Sequence, residues 1–308
     1  MRKGFIKGMK TGYAIEGKNI KKKFKNFTLE LDELNVPEGF ATALIGENGA
    51  GKSTLLNILS GIRRDARGEI KYFGSVDDVE FAKEKIGYTG TDNYFLPSWS
   101  GREVMKISKL LFDDFDEKKY MDIADALAID SDAFAKTKAK TVSKLSDGNK
   151  VKLMLATVLA RNTNMLILDE PASPLDPLMR EKLSDILRDY LSSGNGKRTV
   201  FFSTHNISDM ENVTDYAIIM EKGRIVEQGF VEELKEKYIL IKGDNDSYEL
   251  ARKNLISISK NNYGYEGMCL ASDLDKFAGV DVVRETPTLF QISVAVMKQS
   301  SVLGEVRL

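Results

Sequence analysis

Nine consecutive residues, Gly46-Glu47-Asn48-Gly49-Ala50-Gly51-Lys52-Ser53-Thr54, stand between the apolar run Phe40 to Ile45 and the apolar-periodic segment Leu55 to Leu59. Strand, glycine-rich turn and helix in that order make a phosphate-binding loop. Gly46, Gly49 and Gly51 let backbone N–H groups turn toward an anion without a side chain in the way, and the following helix adds the positive end of its dipole. Lys52 is then placed to reach the β- and γ-phosphates of a nucleotide, and the Ser53 hydroxyl to ligate magnesium, with Asn48 and Thr54 completing the lining. A second group lies farther along. Met165-Leu166-Ile167-Leu168 carries Asp169 and Glu170 to the C-terminal end of a buried strand, where open α/β sheets bind ligands. Asp169 suits magnesium, directly or through water, and Glu170 suits orienting or deprotonating the water that attacks a γ-phosphate. His205, the only histidine, ends the next apolar strand and can reach the same region.

The elements that must hold these groups follow from hydrophobic spacing. From Ala14 to about Glu38 polar and apolar residues alternate (Phe27, Leu29, Leu31, Leu34), which predicts antiparallel strands ahead of the Pro37-Glu38-Gly39 turn. Glu69 to Phe73 predicts a further strand. Between about residues 92 and 150 the period becomes helical: Val104, Ile107, Leu110 and Leu111, then Met121, Ile123, Ala124 and Leu127. Beyond it, strand and helix alternate again, with Met165–Leu168, a helix opened by Pro177, and Thr199–Phe202, which specifies a parallel sheet covered on both faces. Asp215 to Gly229 reads as a hairpin turning at Lys222-Gly223. From about Glu236, strands at Tyr238–Lys242, Glu266–Ala271 and Val280–Arg284, with a last helix led by Pro287, predict a small C-terminal α/β domain over 236–308.

Composition narrows the classes. The 308 residues carry 45 Lys and Arg against 46 Asp and Glu, a net charge of −1 that argues against a nucleic-acid partner. The run Lys21, Lys22, Lys23 and Lys25 reads as the exposed face of an edge strand. One cysteine, Cys269, permits no internal disulfide and fits a reducing compartment. No apolar stretch approaches the roughly 18 residues that cross a bilayer. Arg2, Lys3, Lys7 and Lys10 are not followed by the apolar region of a signal peptide, so the chain is expected in the cytosol unless a partner holds it at a membrane.

Taken with three further segments, these motifs resemble the ATP-binding subunits of ABC transporters over about residues 14 to 235. Lys144-Leu145-Ser146-Asp147-Gly148-Asn149 is similar to the signature Leu-Ser-Gly-Gly-Gln that precedes a helix. Ser173-Pro174-Leu175-Asp176 resembles the loop after the catalytic acid, and Ser203-Thr204-His205 the switch histidine. The resemblance implies a P-loop α/β domain over 1–235 with a helical signature subdomain at about 92–150, ATP and Mg2+ as cofactors, and Lys52, Glu170 and His205 as the catalytic group. It implies that Phe24 stacks on adenine and that Asp176 belongs to the nucleotide site. It also implies a head-to-tail dimer, homo- or heteromeric, in which Ser146 and the backbone at Gly148 meet the γ-phosphate held by Lys52 of the other subunit. An integral-membrane subunit would hold the protein at the inner face of the membrane, and the single cassette with an appended domain resembles bacterial exporters of drugs or antimicrobial peptides.

The match departs from the family at three places, the mildest being Asn149 for the signature glutamine. Where the family places glutamine after the Ile-Gly-Tyr strand, Thr91 and Asp92 follow, so that either Asp92 contacts magnesium through water or the step is weakened. Asp147 replaces a signature glycine, bringing a carboxylate toward a triphosphate; its plain alternative is to cap the following helix. Reduced or asymmetric ATPase activity is therefore expected. The competing reading is a soluble ATPase of the same superfamily, as in iron–sulfur assembly; translation factors of this type carry two cassettes, and repair ATPases need a long coiled coil that the interval between Lys52 and Asp169 cannot hold.

Overall fold

A computed structural model describes residues 12–74 and 79–301; the basic positions Arg2, Lys3, Lys7 and Lys10 lie outside the described residues. The chain runs β1 (Tyr13–Lys23), β2 (Thr28–Pro37), β3 (Ala41–Ile45), α1 (Lys52–Leu59), β4 (Arg67–Tyr72), α2 (Val79–Glu84), β5 (Ile86–Thr89), α3 (Gly101–Leu111), α4 (Glu117–Ala126), α5 (Asp147–Leu159), β6 (Met165–Leu168), α6 (Pro177–Ser192), β7 (Thr199–Thr204), β8 (Tyr216–Glu221) and β9 (Arg224–Phe230). There follow α7 (Val231–Lys237), β10 (Tyr238–Gly243), α8 (Tyr248–Asn254), β11 (Ser257–Lys260), β12 (Tyr265–Leu270), β13 (Val282–Glu285) and α9 (Leu289–Ser300).

The central sheet has the order β5-β6-β7-β3-β8-β9, parallel except for the antiparallel edge strand β9. Its inner strands are buried at every position because both faces are covered, and the side-chain alternation sorts their apolar residues into two cores. Met165 and Ile167 of β6, Phe201 of β7 and Leu44 of β3 point to one, where Leu55, Leu56 and Leu59 of α1 and Ile15, Leu29 and Leu34 of the antiparallel sheet β2-β1-β4 meet them. Leu166 and Leu168, Val200 and Phe202, and Ala43 point to the other, against Leu153 and Leu155 of α5 and Leu183 and Leu187 of α6. Burying a side chain of this size contributes about 1.5–3 kcal/mol, so the loops between these strands start from rigid anchors.

Several expectations change on contact with the fold. The lysine run is not on an edge: β1 is the middle strand of its sheet, with Lys21 paired to Glu30 of β2 and Lys22 to Asp65. Leu110 and Leu111 were expected on the buried face of their helix, but α3 ends there and both are exposed, at 79% and 69%. Strand β11 escapes the alternation pattern because Ser257-Ile258-Ser259-Lys260 has one large apolar side chain. In the C-terminal region a four-stranded antiparallel sheet, β11-β12-β10-β13, encloses Ile241, Ala251, Tyr265, Cys269 and Phe277. Helix α9, opened by a Thr288–Gln291 capping box, instead adds Leu289, Ile292, Ala295 and Val296 to the large core beneath the parallel sheet.

Candidate nucleotide-binding and hydrolysis site

Parallel register brings the C-terminal ends of β3, β5, β6 and β7 to one edge, since Ile45 pairs with Thr204, Leu168 with Phe202 and Thr89 with Leu168. The loop after β3 turns through Gly49 (φ +89°) and Gly51 (φ +103°), both in the left-handed region. Gly51 is also a close approach: a Cβ there would lie 2.7 Å from Phe27 Cζ, whereas one at Gly49 would meet nothing within 4 Å, leaving that side of the loop open to an anion. Gly51 precedes the first residue of α1, so the helix N-terminus faces the loop.

Lys52 is 6% exposed. Its Nζ donates to the carbonyls of Gly46 (2.8 Å) and Glu47 (3.3 Å) and lies 3.3 Å from Glu170 Oε1. Glu170 Oε2 in turn is 2.8 Å from His205 Nδ1. Glu170 is therefore held between the phosphate-loop lysine and the histidine, on a backbone with φ +50°, a conformation that costs a non-glycine residue about 1 kcal/mol or more. Its Oε1 is buried, and among the described residues its contact is the ion pair with Lys52, with no hydrogen bond.

Asp169 is buried, and burial pushes its carboxyl above the usual carboxylate range; hydrogen bonds from Ser203 and Ser53 and the charge of Lys52 oppose that rise, while Glu170 adds to it. Ser203 Oγ donates to Asp169 Oδ1 at 2.5 Å and accepts the Glu170 N–H at 2.9 Å. Sequence reasoning gave Ser203 no role of its own; the available signal was its place one register step past the strand residues that flank both acids. Because the Ser53 hydroxyl reaches Asp169, a hydroxyl and a carboxylate oxygen converge as magnesium, which takes oxygen donors, requires. The residues fit a nucleotide with its metal.

Two lobes form the cleft. One, of about 870 Å3, is lined by Phe24, Phe27, Gly49, Gly51, Lys52, Ser53 and Thr54. The other, of about 570 Å3, is lined by Asp92, Asp147, Asp169, Ser173 and His205, and Asn48, Thr91 and Glu170 border both. Gly46 joins through its carbonyl on Lys52. Phe24 and Asp92 thus share the cleft with the phosphate loop. Ser146, Gly148 and Asp176 do not line it in the single chain. Ser146 caps α5, its Oγ accepting the Asn149 N–H at 3.3 Å, so the cap expected of Asp147 belongs to Ser146. Asp147 is the first helical residue, strongly exposed, with its carboxyl held below the usual range by the hydrogen bond from Lys150 Nζ at 2.8 Å. Gly148 sits against the Pro174 carbonyl, and Asp176 caps α6 by accepting the Met179 N–H at 3.0 Å.

Strand, glycine loop and lysine-bearing helix, with two acids and a histidine on neighbouring strand ends, define a P-loop nucleoside triphosphatase. Residues 29–173 match the ABC transporter family. The chain is 31% identical over 212 residues (68% of this chain, 95% of the relative) to the tungstate uptake system ATP-binding protein TupC of Peptoclostridium acidaminophilum. It is 30% identical over 237 residues (72% and 83%) to the energy-coupling factor transporter ATP-binding protein EcfA1 of Staphylococcus aureus. Among solved structures, the ATP-binding cassette MJ0796, a dimer in a post-hydrolysis state bound to ADP and Pi, shares the fold at a TM-score of 0.58 with 21% identity, over 70% of this chain and 98% of that one. The chain belongs to the ATP-binding subunits of ABC transporters, which bind ATP with Mg2+ and hydrolyse ATP for transport. No helix among the described residues is long and apolar enough to cross a membrane.

Proposed function

We propose that this chain is the ATP-hydrolysing subunit of a transporter whose membrane-spanning part is a separate polypeptide. The observation that carries the proposal is Glu170, held between Lys52 and His205 beside the Ser53–Asp169 pair. Lys52 and the loop amides bind the β- and γ-phosphates, Ser53, Asp169 and Asp92 hold magnesium, Phe24 supports adenine, and Glu170 with His205 orients the attacking water. Ser146 and Gly148 of a second cassette, identical or not, close over the γ-phosphate, with Asp176 near the junction. Glu170→Gln should lower phosphate release about 10²- to 10⁴-fold, the usual worth of a general base, while Mg-ATP binding measured by calorimetry persists. Loss of binding together with turnover would contradict the assignment.

The membrane subunit docks, in this proposal, on a second cleft of about 950 Å3 lined by Ile62, Tyr94, Trp99, Ile107, Leu111 and Phe112. Ile62 and Leu111 expose most of their surface in it, apolar surface of the kind that marks a binding groove. Tyr94 lies two residues after Asp92, so one short segment joins this groove to the nucleotide cleft. Leu111→Glu should abolish co-purification of the membrane subunit and leave Mg-ATP binding by the free chain unchanged; retention of the partner would move the docking site elsewhere, and absence of any membrane partner for the wild type would favour the soluble ATPase.

Export is the direction proposed, on the ground of one cassette followed by an accessory α/β domain over 236–308; TupC and EcfA1 carry names of uptake and energy coupling. Loading of substrate into inside-out vesicles supplied with ATP supports export, and ATP-driven loss from them supports uptake. In either case the proposed location is the cytoplasmic face of the membrane.

A further inference from the structure

The nucleobase end of the cleft contains a cluster that the reading above does not use. Phe24 follows β1 in a turn closed by its N–H on the Phe27 carbonyl at 2.7 Å. The ring neighbours Phe27, centroids 6.0 Å apart and tilted by 40°, and Phe27 fills the space that Gly51 leaves. Two cations also stand against the Phe24 ring: the Arg63 guanidinium carbon lies 5.1 Å from its centroid and Lys22 Nζ 5.4 Å. Both are tied to Asp65, Lys22 in a close ion pair and Arg63 through Nη1 at 3.3 Å. The Arg63 backbone N–H donates to the Asn57 carbonyl of α1 at 2.8 Å, which anchors the main chain from which the arm extends to the helix that carries Lys52 and Ser53. Phe24, Lys25, Asn26 and Phe27 line the nucleotide cleft, whereas Lys22, Arg63 and Asp65 do not.

We propose that Arg63, held by Asp65, is a positioning residue for the nucleobase: its guanidinium seats the Phe24 ring from the side turned away from the cleft and leaves the cleft-facing side to stack on adenine. The inference rests on Phe24 as the base platform. A half-buried aromatic on a turn has several rotamers open to it, and stacking on a base requires one of them. A cation over the ring selects that rotamer and adds attraction to the ring quadrupole. Because Arg63 is also pinned to α1, the platform and the phosphate loop are set at a fixed separation, which suits a ligand carrying a base and a triphosphate. Arg63 touches neither part of that ligand.

The test is calorimetric titration of the intact chain with Mg-ATP and, separately, with inorganic tripolyphosphate, which has the phosphates and no base. Arg63→Ala should weaken Mg-ATP binding about two- to five-fold, the worth of a cation–π contact at an exposed site, and leave tripolyphosphate binding unchanged. Arg63→Lys should recover part of the loss, and Asp65→Asn, which frees the arm without removing it, should give a smaller loss in the same direction. Equal weakening of both ligands by Arg63→Ala would show a charge acting on the phosphates and overturn the proposal, as would unchanged Mg-ATP binding. Phe24→Ala separates the two layers of the argument: if it weakens Mg-ATP binding and Arg63→Ala does not, only the role of Arg63 fails, and if it leaves Mg-ATP binding intact the platform itself is wrong.

Discussion

Two serine hydroxyls, from Ser53 and Ser203, converge on the Asp169 carboxylate, and the second also accepts the Glu170 N–H. A buried carboxylate needs such partners to remain charged, and here they double as the geometry that aims its neighbour. Lys52, Ser53, Asp169, Glu170 and His205 were legible in the sequence because each sits immediately after an apolar strand or in a glycine loop, where chain position alone decides side-chain location. Ser203, Arg63 and Asp65 were not, because their contacts come from pieces of chain that only the fold brings together. Asp147 is the residue whose effect is easiest to test. It adds a carboxylate to a cleft wall that already holds Asp92, Asp169 and Glu170, and its ion-pair partner among the described residues is Lys150. Asp147→Gly should therefore raise ATP turnover by about two- to five-fold, in line with exposed charge interactions, and more so at low salt. Unchanged or lower steady-state turnover with the full complex assembled would remove Asp147 from the account.

The helical insert that carries Ser146 is held at its ends by carboxylates. Glu103 completes a capping box with Ser100 on α3, Asp116 caps α4, and Asp130 pairs with Lys140 while receiving the Asp132 N–H. Each is held below its usual range, Glu103 and Asp116 first by hydrogen bonds to backbone N–H and Asp130 first by Lys140. A carboxylate depressed in the folded state binds its proton less readily there than in the unfolded chain, so its stabilisation is present above the ordinary values of 4.5 for Glu and 3.8 for Asp and is lost as pH falls through the folded values. Amide exchange measured while the pH is lowered below 4.5 should accordingly show α3 and α4 opening before the strands of the parallel sheet; loss of the sheet first would contradict this. Elements with strong periodicity (α4, α6) or a run of apolar residues (β3, β6, β7) were readable from spacing, and α5 from the signature that precedes it. The middle position of β1 was not, because strand order depends on which partner arrives on its second side, and β4 comes from beyond the phosphate loop. Leu110 and Leu111 broke the helical expectation for a different reason: their helix ends at a surface that the single chain leaves uncovered.

At the scale of the molecule, the parallel sheet separates two cores, and the nucleotide cleft lies at the strand ends between them, with the antiparallel sheet on the base side and the helical insert on the side of Asp147. Helix α9 returns from the C-terminal sheet to pack under the parallel one, so its 12 residues belong to the stability of the whole rather than to a tail. Ser146 and Gly148, at the start of α5, do not line the cleft that contains Lys52 of the same chain, and a second cassette must bring its own copies there if the triphosphate is to be enclosed. In the proposed pair, nucleotide is a bridge whose binding free energy would favour the closed pair over separate subunits. Analytical ultracentrifugation of the Glu170→Gln chain, alone and with the cassette that co-purifies with it, tests this most directly. The account predicts a shift to a stable dimer on addition of Mg-ATP that ADP does not produce and that Lys52→Ala prevents. Sedimentation as a monomer at saturating Mg-ATP in both preparations would contradict it.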